Sequence, residues 1–169
     1  TAMSLYPMDL FAAQALTLSI QRYGQNERTL FSFLEDSGKN SLQNFFETPC
    51  TTYNLANIYD YDIYNFHSFL SEINADSTIW TGIKVSLERV ESLFEEETVK
   101  DASKLIKTIG LINLFGNAGI KCSKEDLSLY ARYALGIENP ELIIDTLDQH
   151  KIIRYAKYKS QYILFEGTD

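Results

Sequence analysis

The chain has 169 residues, of which 45% are hydrophobic and 13% aromatic, and a formal net charge of −8. That length and apolar content support a folded core without a structural metal or disulfide, and they exclude an intrinsically disordered chain. The charge is uneven: residues 1–97 hold 5 Lys/Arg against 14 Asp/Glu, a balance of −9, whereas residues 98–169 hold 10 against 9, a balance of +1. The first region repels a polyanion, so any nucleic-acid contact falls to the second.

The opening Thr1-Ala2-Met3-Ser4 reads as the edge of a piece of a longer protein. Pro7 suits the first position of a helix, where its missing N–H would be unpaired anyway, and residues 8–23 follow with Phe11, Ala15 and Leu18 on one side. Gly24 ends that helix. Asn26 caps a second, with Glu27 in its first turn and Leu30, Phe31, Phe33 and Leu34 on its buried side. Ser41 opens a short helical turn through Leu42, Phe45 and Phe46 that Pro49 stops.

Asn54 caps a longer helix in which Leu55, Ile58, Tyr59, Asp62, Phe66, Phe69 and Leu70 keep a helical period. A helix over 78–97 carries the stripe Trp80, Ile83, Leu87, Val90 and Phe94, and the run Glu95-Glu96-Glu97 forms its solvated end. Thr98 then caps a central helix, with Asp101 as the capping-box acid. In it Leu105, Ile109, Ile112 and Phe115 recur at three- and four-residue steps, while Ile106, Leu111 and Leu114 widen the stripe. A helix apolar over so wide an arc must be covered on two sides.

Gly116 to Gly119 closes that helix, and Ile120-Lys121-Cys122 has room only for a short strand. Ser123, followed by Lys124, Glu125 and Asp126, starts a helix that runs to about Leu135 before Gly136. Pro140 opens another, ending near His150, with Leu142, Ile143, Ile144 and Leu147 inward. The β-rich runs Ile152–Lys157 and Gln161–Phe165, separated by Tyr158-Lys159-Ser160, read as a hairpin. Helix, short strand, helix, helix, hairpin is the winged helix-turn-helix order. The expected fold is therefore mainly α: an acidic helical region over 1–97 and a winged helix over 98–169 whose β-hairpin is the wing.

A winged helix invites DNA, because its third helix enters the major groove and its wing touches phosphate. Here that helix offers Glu141, Asp145, Asp148, Gln149 and His150 and no arginine for bidentate contact with guanine. The wing is better suited, with Arg154, Lys157 and Lys159 beside Tyr155 and Tyr158. Docking to protein is the favoured reading, and a DNA-binding regulator acting through Arg154, Lys157 and Lys159 is the alternative.

For catalysis the chain offers little. His67 and His150 lack the Cys or carboxylate spacing of a metal site, and Asp60 and Asp62, two apart on a helix, diverge. No phosphate-binding loop of either familiar glycine pattern is present. Cys50 and Cys122 form no zinc or disulfide pattern, so a reducing, cytoplasmic setting is expected. No apolar run reaches the roughly 20 residues of a membrane span, and no membrane association is expected.

Four stretches carry a resemblance: Gln25-Asn26-Glu27-Arg28-Thr29-Leu30-Phe31-Ser32-Phe33-Leu34, Tyr53-Asn54-Leu55 through Tyr59-Asp60-Tyr61, Leu105 to Leu114, and Tyr162 to Asp169. Together they resemble a region of large bacterial P-loop ATPases, of the AAA or STAND-like kind, downstream of the nucleotide-binding core. Some members of that group belong to phage-defence systems. The resemblance implies a helical lid-like region followed by a winged helix, with no catalysis in this piece and ATP and Mg²⁺ held by the parent protein. It implies the missing ATPase core or another protein as partner. Arg28 is the residue placed to act as a lid arginine toward that core's nucleotide.

Overall fold

A computed structural model describes residues 8–24, 33–35, 42, 45, 52–70, 75–116 and 122–165, with the side chains of residues 67–70 outside that description. The helices are α1 Leu10–Tyr23, α2 Leu55–Leu70, α3 Ser77–Leu93, α4 Glu96–Leu114, α5 Lys124–Tyr133 and α6 Pro140–Gln149. Strands β1, Ile153–Ala156, and β2, Gln161–Leu164, follow. The chain is mainly helical with one small antiparallel sheet among the described residues.

α1 begins three residues later than the Pro7 reading placed it. Asp9 is its N-cap, in extended conformation, and accepts a 2.8 Å hydrogen bond from the Ala12 amide. A short acceptor that satisfies an orphan N–H outweighs the preorganised φ of an upstream proline. The buried stripe is Ala12, Ala15, Leu16, Ser19 and Tyr23, with Phe11 and Leu18 only half-buried. Small residues on that stripe let α1 lie close to α2. The helix expected after Asn26 lies largely outside the described residues; of it, 33–35 are helical, Phe33 is buried and Leu34 exposed.

The Asn54 cap is real: its Oδ1 accepts from the amides of Ala56 and Asn57 at 3.0 and 3.3 Å. α2 is kinked at Phe66. Asp60 and Asp62 do diverge, since Asp60 pairs with Lys107 at 2.7 Å while Asp62 is fully buried against α1.

The break between α3 and α4 falls at Phe94-Glu95, earlier than the sequence reading put it. Glu96 and Glu97 occupy the first turn of α4, and Thr98 lies inside the helix rather than capping it. Carboxylates at a helix N-terminus complement its positive dipole end, so the acidic run favours starting a helix over ending one.

α4 is covered on two sides as its wide stripe requires. Ala102, Leu105, Ile106, Thr108, Ile109, Gly110, Leu111, Ile112 and Leu114 are all buried, and the helix packs against α2, α3, α6 and β2. Each Leu or Ile buried this way contributes about 1.5–3 kcal/mol. Gly110 marks the tightest approach: a Cβ there would fall well inside van der Waals contact of the Ile83 side chain on α3. The buried apolar residues from Ala12 to Leu164 make one connected cluster.

α5 starts with a complete capping box, Ser123 Oγ accepting from Asp126 N at 3.1 Å and Asp126 Oδ2 accepting from Ser123 N at 3.4 Å. Gly136 adopts φ 70°, a left-handed conformation that glycine enters without the steric cost of a Cβ. Pro140 sits at the start of α6, as expected. Ile143, Ile144 and Leu147 are buried, but Leu142 is 66% exposed, so it does not face inward. At two residues from Ile144 it is turned by about 200° around the helix, so with Ile143, Ile144 and Leu147 facing the core Leu142 falls on the opposite, solvent side.

β1 and β2 pair with Ile153 opposite Leu164 and Ala156 opposite Gln161, joined by residues 157–160. The short strand expected at 120–122 falls on residues outside the description except Cys122, which is buried and not in a strand.

Candidate functional site

The polar groups buried inside the helical array are structural ties. Asp9 accepts a 2.7 Å hydrogen bond from the Tyr130 hydroxyl, which in turn accepts from the Leu55 amide at 2.9 Å. Asn54 Nδ2 donates to the Ala134 carbonyl at 3.2 Å. These bonds fasten the starts of α1 and α2 to α5. Burial pushes the Asp9 carboxyl upward against the lowering effect of its donors, and burial together with Asp9 raises the Tyr130 hydroxyl.

At the other end Tyr23 donates to Asp76 at 2.8 Å and accepts from Trp80 Nε1 at 3.1 Å. Arg22 joins Asp76 at 3.2 Å and lies over the Phe115 ring, 5.1 Å from its centroid. Burial pushes the Cys122 thiol up to about 12, with Asp126 adding to it, which leaves the sulfur a poor nucleophile at neutral pH. Among the described residues no three His, Cys, Asp or Glu side chains are grouped to hold a metal. His150 is exposed at the end of α6, and the side chain of His67 lies outside the described residues.

Two surfaces remain. The first is the solvent face of α6, where Glu141, Leu142, Asp145, Asp148 and Gln149 are all exposed. Glu141 is held by Arg132 of α5 through two 3.0 Å contacts. The exposed Leu129 and Tyr133, four apart on α5, lie on the same helix as that arginine. The outcome is an acidic helix face with the exposed Leu142 among its carboxylates.

The second surface is the hairpin. Arg154, Lys157 and Lys159 are exposed and form no ion pair among the described residues. The structure separates them. Arg154 and Lys159 line a cavity of about 220 Å³ with Ile79, Gly82, Asn113, Tyr158, Ile163 and Phe165, whereas Lys157 is not part of it. Lys159 Nζ sits 5.6 Å from the Tyr158 ring centroid. A second cavity, of about 430 Å³, shares Gly82 and Phe165 and extends along α3 past Thr78, Thr81 and Val85 to Arg89. Arg89 donates to the carbonyls of His150 and Lys151 at 2.8 and 3.0 Å, fixing the C-terminal end of α6 to α3.

The sequence pointed to Arg154 and Lys159 but gave no hint of Ile79, Gly82, Arg89 or Phe165 as their neighbours. The one available signal was Gly82, a glycine in the interior of an otherwise regular helical stripe. Arg28, the residue implied as a lid arginine, lies outside the described residues. No helix among the described residues is long and apolar enough to cross a membrane. No family model, curated protein or solved structure matches the chain.

Proposed function

We propose that this chain is a non-catalytic docking module of winged-helix organisation, part of a larger bacterial P-loop ATPase, that couples the nucleotide state of that core to a protein partner. The order α4, α5, α6, β1, β2 supports the winged-helix reading. The observation that carries the docking role is the α6 face: Glu141, Asp145 and Asp148 are exposed there, and Leu142 is 66% exposed among them. Phosphate repels three carboxylates, and an exposed leucine gains nothing from a DNA backbone. A protein surface with basic and apolar side chains matches both. The tethering of α6 by Arg89 and Arg132 presents that face as a rigid element.

Hydrogen exchange on the whole protein that contains this chain, with and without Mg-ATP, tests the reading. The α6 amides are expected to change protection with nucleotide. An encoding frame without a P-loop, or exchange in α6 indifferent to nucleotide, would overturn it. The second reading, a DNA-binding regulator acting through the wing, draws on the exposed Arg154, Lys157 and Lys159, which form no ion pair among the described residues.

A further inference from the structure

Gly82 is the anomaly of α3. A glycine in a helix interior costs about 0.5–1 kcal/mol relative to alanine, and such a cost is commonly offset by a close approach. Gly110 has that reason, in Ile83; Gly82 has none, for a Cβ built there meets no atom within 4 Å. What lies over Gly82 is open space, the floor shared by the two cavities between α3 and the hairpin.

The walls of that space have a definite chemistry. Apolar surface comes from Ile79 and Val85 of α3 and from Ile163 and Phe165 of the hairpin. Cationic groups come from Arg154 and Lys159 at one end and Arg89 at the other. Among the described lining residues there is no carboxylate, in a protein with 23 Asp and Glu against 15 Lys and Arg. Thr78 and Thr81 add hydroxyls along the helix side. Arg154 lies directly opposite Ile163 in the β1–β2 register, so a cation and an apolar side chain stand side by side on one face of the hairpin.

From this charge and apolar pattern we propose that the groove between α3 and the hairpin binds an acidic, amphipathic peptide segment of a partner protein. An apolar side chain of the peptide lies over Gly82 between Val85 and Phe165, and a flanking carboxylate meets Arg154 and Lys159. The guanidinium fork suits a carboxylate in two-point contact. Nucleic acid fits less well, because cavities of a few hundred Å³ walled in part by apolar side chains accept side chains rather than a continuous phosphodiester track, and the acidic α6 face opposes a long polyanion. This site is separate from the acidic face assigned to docking above and stands or falls independently of it.

The test is a fluorescence-anisotropy titration of the chain with a synthetic library of seven-residue peptides in which Asp or Glu alternates with Leu, Ile or Phe. Parallel titrations use the same library with Lys in place of the acids, a ten-nucleotide oligothymidylate, and inorganic phosphate as competitor. Saturable binding of the acidic peptides alone is expected. Gly82→Leu fills the floor while improving helix propensity, so it should fold at least as well as the parent and lose binding by about tenfold or more. Arg154→Glu should weaken binding by about as much, the size expected when a charge-assisted contact is lost. Undiminished binding by Gly82→Leu, equal binding of the basic library, preferential binding of the oligonucleotide, displacement by phosphate alone, or no binding at all would each overturn the proposal.

Discussion

Asp62 should make the protein less stable as pH rises through neutrality, and replacing it with asparagine should remove that dependence. The carboxyl is fully buried between α1 and α2; its Oδ2 accepts a 2.7 Å hydrogen bond from Ser19, and its Oδ1 has no partner among the described residues. Burial pushes its pKa up to about 8 from the ordinary 3.8, with the Ser19 bond opposing the shift. Because the folded pKa is the higher, the folded state holds a proton that the unfolded state has released throughout the window from about pH 4 to pH 8. The associated stability is complete below the unfolded pKa and is lost as pH climbs toward the folded one, at about 1.4 kcal/mol per pH unit. By pH 7 the loss is on the order of 4 kcal/mol relative to pH 4. Asp62→Asn keeps the shape and cannot ionise, though its amide leaves a buried donor that costs about 1–3 kcal/mol. Urea unfolding at pH 5, 6, 7 and 8, followed through the buried Trp80, gives the difference in stability between variant and parent at each pH. That difference should shift in the variant's favour by about 1.4 kcal/mol per unit. A difference flat across the series would refute the reasoning, because the other acids titrate alike in both proteins and cancel.

Gly110→Ala should destabilise by about 1–3 kcal/mol, because the added Cβ overlaps the side chain of the fully buried Ile83; a stability equal to the parent in urea unfolding would show that α3 and α4 give way easily. Tyr130→Phe deletes the hydroxyl that joins Asp9 to the Leu55 amide and should cost about 1–3 kcal/mol at pH 7, read by the same unfolding curves; an unchanged midpoint would show that the tie carries no energy. Titration calorimetry of the isolated chain with Mg-ATP should give no binding heat, since no phosphate loop is present; micromolar saturable binding would contradict the non-catalytic reading.

The sequence was most legible where a local rule acted alone. The Ser123/Asp126 capping box, Pro140 at the start of α6, the Asn54 cap and the two-sided burial of α4 each follow from residues a few positions apart. It misled where two local signals competed. Pro7 masked the better cap at Asp9, and the acids 95–97 read as a solvated helix end when the dipole of the next helix claimed them. Leu142 was assigned inward on hydrophobicity, yet its neighbours Ile143 and Ile144 already fill the side facing the core. The candidate groove was illegible for a different reason. It is made by α3 meeting the hairpin, so Gly82 and Arg154 become neighbours only after α4 has brought the two together. No periodicity within either segment records that meeting.

The central proposal is that the region from α4 to β2 serves protein docking rather than DNA recognition, and a direct measurement is duplex DNA binding at physiological salt. The acidic α6 face and the −9 balance of residues 1–97 predict no saturable complex, and addition of salt should abolish any weak binding through the few basic groups of the hairpin. A nanomolar, sequence-dependent complex, lost when Arg154, Lys157 and Lys159 are reversed in charge, would contradict it.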